Sequence, residues 1–123
     1  MAQGTKTNRR ESIVCLEIGM LLRDELLRQG ANVIMTREDQ TTFHTNIERC
    51  EIAEAGGAQI MLRLHCNNSS NRSKRGIQVY GPLNSDYAKA VADADTYREM
   101  GQKLLDAMKT RVGMTLANST GMV

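Results

Sequence analysis

Apolar residues recur at Ile13, Leu16, Met20 and Leu27, with Ile18, Leu21, Leu22 and Leu26 widening the stripe, while Arg23, Asp24, Glu25 and Arg28 supply a polar face. That period predicts an amphipathic helix over 12–28. Ser12 is its candidate N-cap, and Gly30 stands where a left-handed residue ends a helix. The pattern then changes. Residues 32–36 (Asn-Val-Ile-Met-Thr) form a short, mostly apolar run that predicts a buried strand after a tight turn. A polar loop over 37–45 leads to a second short helix over 46–55, with Ile47, Cys50, Ile52 and Ala53 for packing and Gly56-Gly57 to end it. Residues 59–65 are apolar apart from Gln59, Arg63 and His65 and predict another strand, which opens into an Asn- and Ser-rich loop over 66–74. A third strand fits 76–81, closed by Gly81-Pro82. A last helix runs from about Asp86 or Asp95 to Val112, carrying Tyr97, Met100, Leu104, Leu105 and Met108 at helical spacing, and 113–123 has turn composition.

Helices alternating with short apolar runs predict an α/β fold, a mostly parallel sheet with helices on both faces. At 123 residues the chain is enough for one hydrophobic core, and 1–123 reads as a single domain without repeats or linkers.

Composition adjusts this picture in four places. Hydrophobic residues at 41% and charged residues at 24% lie far from the disordered regime, so the chain can collapse. Aromatics are few (Phe43, Tyr80, Tyr87 and Tyr97, with no Trp), so packing must be aliphatic, which argues against a carbohydrate platform of stacked rings. A net charge of +2 is too small to imply a nucleic-acid partner, and the basic run at 71–75 reads as a solvated loop. Cys15, Cys50 and Cys66 are odd in number, widely spaced and without a CxxC pair, which predicts buried small residues rather than a disulfide framework or a cysteine zinc site. The chain has no apolar run long enough to span a membrane, and its first residues lack the apolar core of a signal peptide.

Candidate chemistry begins at His65, at the carboxyl end of a predicted strand, where open α/β sheets place their ligands. Taken alone, a histidine there is more often structural than ligating. Spacing does not join it to His44, and no HExxH occurs. Glu11, taken alone, reads as a carboxylate that helps a helix start through the macrodipole.

Residues 16–37, ending Gly30-Ala31-Asn32-Val33-Ile34-Met35-Thr36-Arg37, resemble the first helix and second strand of the zinc-dependent N-acetylmuramoyl-L-alanine amidases, which carry a run like L-x-x-x-L-x-x-G-x-x-V-x-x-T-R there. Residues 46–53, Asn-Ile-Glu-Arg-Cys-Glu-Ile-Ala, resemble that family's L-x-x-R-x-x-x-A helix. Ile60-Met61-Leu62-Arg63-Leu64-His65-Cys66-Asn67 resembles its F-I-S-I-H-A-N strand and loop, and 76–80 its G-x-x-V-Y run. The ordered succession covers about 11–81.

The resemblance implies a peptidoglycan hydrolase that cleaves the amide between N-acetylmuramic acid and L-alanine with a zinc-activated water. It implies a three-layer domain, secreted or associated with the cell wall. Residue by residue, His65 and Glu11 stand at two of its zinc ligands. Asn67 stands where it can orient the loop or contact substrate, with an ordinary Asx turn as the alternative. His44 lies beside the pattern and off the zinc positions, and it is the candidate for a replacement ligand. Arg37 and Arg49 match family arginines and are expected to anchor loops through backbone carbonyls. The family's first zinc histidine lies in a D-P-G-H-G-G strand end upstream of the matched residues, and its general-base glutamate, in a V-E-x-G-F segment, is expected beyond Val123. Without the first and the C-terminal strands the chain is expected to be inactive or weakly active unless a partner supplies the missing groups, and exposed sheet edges are expected to favour homo-oligomers. The rival reading is a non-catalytic or degenerate amidase domain that binds the cell wall.

Overall fold

The apolar stripe at the start of the chain is helical in the computed structural model, which describes residues 9–67, 75–81 and 94–116. Helix α1 spans Glu11–Arg28, one residue ahead of the predicted start. Arg10, with φ −73° and ψ 136°, occupies the N-cap without a capping side-chain bond, so Ser12 lies inside the first turn and is not the cap. Glu11 instead places a carboxylate in that turn, where the macrodipole favours negative charge. At the other end Gly30 adopts φ +86°, its amide donates to Leu27 O at 3.0 Å and the Ala31 amide to Leu26 O at 3.0 Å. This pair of bonds is a Schellman motif, and it needs the left-handed backbone that glycine supplies without steric cost.

Helix α2 spans Asn46–Ala55, as its pattern predicts. A capping box sets its start: the Glu48 amide donates to Thr45 Oγ1 at 3.3 Å, and the Thr45 amide donates to Glu48 Oε2 at 2.6 Å. The end repeats the device of α1. Gly57 sits at φ +67°, its amide donates to Glu54 O, and the Ala58 amide donates to Ala53 O.

The chain divides into two compact units, Met1–Asn68 and Ser69–Val123. In the first, the middle of α1 carries Gly19, and a Cβ placed there would meet Met35 Cε at 3.6 Å and Leu64 Cδ1 at 3.8 Å. Both segments predicted as strands therefore lie against one face of α1. Ile34 packs over Gly56 so closely that a Cβ at Gly56 would overlap its Cδ1. Arg37 fastens the turn beyond, donating to Ser12 O at 2.6 Å and to Asp39 O at 2.9 Å, which bears out the expectation that it anchors a loop through backbone carbonyls.

In the second unit, helix α3 spans Ala94–Val112, near the shorter of the two predicted starts, and the region from Asp86 to 93 lies outside the described residues. Its Leu105 is 1% exposed, and Ile77 is also buried. Ile77 forms an isolated parallel bridge with Leu116, its amide donating to Thr115 O at 2.9 Å.

The mostly parallel sheet is not there among the described residues. Among the described residues the regular elements are helices, and pairing is limited to isolated bridges. The three runs predicted as strands, 32–36, 59–65 and 76–81, form no ladder, so the three-layer α/β expectation is corrected. A parallel sheet is stable when apolar layers cover both of its faces. Here 32–36 and 59–65 contact α1 on one side while Ile34, Ile60 and Leu62 are 43%, 53% and 51% exposed. Apolar composition made these runs resemble buried strands, but the second covering layer is missing among the described residues. The cysteines differ as well: Cys15 is half-buried, while Cys50 and Cys66 are exposed.

Candidate metal centre

Helical spacing arranges one face of α1 as Glu11, Cys15 and Gly19, each four residues from the next and so stacked along the axis. The segment opposite runs the other way. Leu64 lies beside Gly19, Cys66 beside Cys15, and His65 and Cys66 both reach Glu11. Residues 51–55 positions apart in sequence thus meet at the start of the helix.

His65 Nδ1 lies 3.2 Å from Glu11 Oε1. The same carboxylate oxygen accepts the Cys66 amide at 2.8 Å, which fixes it against the backbone of the segment that carries the histidine. Glu11 is half-buried, with 23% of its side chain exposed, and His65 is open to solvent at 62%. The pair is thus fixed on the helix side and reachable from the outside.

The donor set suits zinc, which takes imidazole nitrogen and carboxylate oxygen at about 2.0–2.2 Å. Two such atoms on one tetrahedral ion stand about 3.3 Å apart, close to the separation found between these two. The distance is equally that of a direct hydrogen bond from a protonated Nδ1 to the carboxylate. Among the described residues no group of three His, Cys, Asp or Glu is placed to hold a metal ion. His44, half-buried in the loop before α2, therefore does not complete a cluster with Glu11 and His65. Asn67 is exposed one residue past Cys66.

The cysteines were the feature that sequence reasoning passed over. Cys15 Sγ and Cys66 Sγ are 3.8 Å apart. Desolvation, reinforced by the Cys66 thiol and then by the Glu11 carboxylate, pushes the Cys15 thiol up to about 11. The available signal was the spacing Glu11-x-x-x-Cys15, which puts the thiol one turn below the carboxylate once the helix is recognised. Thr45-x-x-Glu48 was legible in the same way as a capping signature.

A family model described as N-acetylmuramoyl-L-alanine amidase matches residues 2–121, across both units. No curated protein and no solved structure was found to match the chain.

Proposed function

The chain belongs to the N-acetylmuramoyl-L-alanine amidase family, whose members act on peptidoglycan, and from that premise we propose that Glu11 and His65 hold a zinc ion serving hydrolysis of the amide between the lactyl group of N-acetylmuramic acid and L-alanine. The observation that carries this reading is the 3.2 Å approach of Glu11 Oε1 to His65 Nδ1, across 54 positions of sequence. When bound there, zinc supplies Lewis acidity toward the amide carbonyl and lowers the pKa of a water toward about 7.

The protein's own groups have three tasks. Glu11 and His65 offer one oxygen and one nitrogen donor from two different segments. The Cys66 amide orients the carboxylate, the kind of outer contact that fixes a ligand's geometry and tunes its basicity. The exposure of His65 leaves the site open to a polymeric substrate from one side. Action at the cell wall follows from the substrate.

A second reading, a wall-binding domain without turnover, is favoured by one observation: two donors, and no third among the described residues. Two donors bind zinc less firmly than the three that catalytic sites use.

Zinc content by elemental analysis tests the metal site, run on the purified chain beside a Glu11→Ala, His65→Ala double variant. Zinc in the first and none in the second is expected. Equal zinc in both, or none in either, sinks the proposed ligands. Incubation with muropeptides, following the appearance of a free L-alanine amino terminus, then separates the two readings: release that depends on zinc and on His65 supports the hydrolase, and retention on insoluble peptidoglycan without release supports the binding domain.

A further inference from the structure

We propose that Cys15 and Cys66 are an oxidisable pair that closes a disulfide, stapling the first turns of α1 to the segment that carries His65. The two sulfurs face each other at 3.8 Å from elements 51 positions apart in sequence. A disulfide holds its sulfurs about 2.05 Å apart, so closure needs the sulfurs to approach by about 1.8 Å.

The third cysteine differs. Cys50 is exposed on α2 and has no sulfur contact among the described residues, so the fold singles out one pair from the three that three thiols allow.

Exposure sets the order of events. A small disulfide such as oxidised glutathione meets the exposed Cys66 first. The Cys66 sulfur attacks one glutathione sulfur, the glutathione S–S bond breaks, and one reduced glutathione leaves with the proton that Cys66 lost. Cys15 then attacks the Cys66 sulfur of the mixed disulfide, and the second glutathione leaves with the proton from Cys15. One S–S bond is lost and one is formed. The two cysteines are oxidised by two electrons and the small disulfide is reduced by two.

The consequence is mechanical. Cys66 follows His65 directly, and its amide holds Glu11. A covalent tie at Cys66 therefore holds the segment against α1, and it closes a loop long enough for a disulfide to restrict the unfolded chain appreciably. None of this requires a metal, so the inference stands apart from the zinc reading.

Peptide mapping by mass spectrometry under non-reducing conditions, after incubation of the folded chain with oxidised glutathione, is the test. The expected product is a peptide pair joined through Cys15 and Cys66, with Cys50 left as a thiol or as a glutathione adduct. Cys50→Ser is expected to keep the linkage and titrate no thiol, and Cys66→Ser to lose it. The oxidised chain should unfold at a higher denaturant concentration than the reduced chain, and a reductant should abolish that difference. Three free thiols after oxidation, glutathione adducts alone, or linkage through Cys50 would each overturn the proposal. So would equal yields of the Cys15–Cys66 product from folded and urea-denatured chain, because the fold would then not be what selects the pair.

Discussion

Residues 9–67 bring together Glu11, His65 and two facing cysteines, and the described residues after them contain the buried side chains. In the first region no side chain of α1 or α2 is fully buried, and Leu21 and Ile47 are both 72% exposed. In the second, Leu105 is enclosed at 1% exposure and Ile77 lies buried in the same unit. The difference shows two ways of ordering a chain. The first region is arranged by directional polar devices: two Schellman ends, a capping box, and Arg37 bonded to two carbonyls. The second buries apolar side chains, which needs no direction, only exclusion of water.

Substitutions that remove one device at a time break or sharpen the contrast. The largest effect is expected at Leu105→Ala, a loss of about 2–5 kcal/mol in denaturant unfolding, as for a large buried aliphatic residue. Leu21→Ala, on the exposed side of α1, should stay within about 0.5 kcal/mol of the parent. Equal costs at the two sites would erase the distinction.

Arg37→Ala comes next. It removes a charged donor from Ser12 O and Asp39 O and should cost about 1.5–3 kcal/mol by the same measurement. Thr45→Ala, which deletes half of the capping box, should cost about 1 kcal/mol and reduce the helical circular dichroism signal of α2.

Gly19→Ala runs in the opposite direction. The added methyl would meet Met35 and Leu64 at ordinary contact distances, and glycine inside a helix costs up to about 1 kcal/mol against alanine. A gain of that order is expected, and a loss would show that α1 approaches the 35 and 64 positions more closely than 3.6 Å.

The smallest effect is one of pH. The Thr45 amide and hydroxyl hold the Glu48 carboxyl below its ordinary value of 4.5, and the Thr42 and Thr41 amides and hydroxyls hold Asp39 well below the usual carboxylate range. A lowered folded-state value means that these contacts stabilise the fold fully above the ordinary value and are lost as pH falls through the lowered one. Thermal melts below pH 4.5 should therefore show declining stability that Glu48→Gln and Asp39→Asn each make shallower. A slope unchanged in both variants would remove the capping box and the Asp39 turn from the account.

Much of the first region was legible beforehand. The period of apolar residues located α1 and α2 to within a residue, and Gly30 and Gly57 were recognisable as helix ends because few other residues tolerate a positive φ. Glu11 and His65 were linked only through family resemblance, since no local spacing joins positions 54 apart. The cysteine pair escaped because odd, distant thiols look alike in a sequence, and only packing tells them apart. The sheet failed for a different reason: an apolar run of five to seven residues has the same composition whether a second layer covers it or not.

The sequence by itself determined what is local: the helices, their stops, and the amidase family to which the chain belongs. Those depend on interactions within a few residues, or on an order of motifs that can be read along the chain. Tertiary structure alone decided the rest: that Glu11 meets His65, that Cys15 rather than Cys50 faces Cys66, and that the short apolar runs pack on α1 without forming a ladder. Each of these outcomes depends on which surfaces are brought together across some fifty residues of chain, and composition at either end carries no record of the partner.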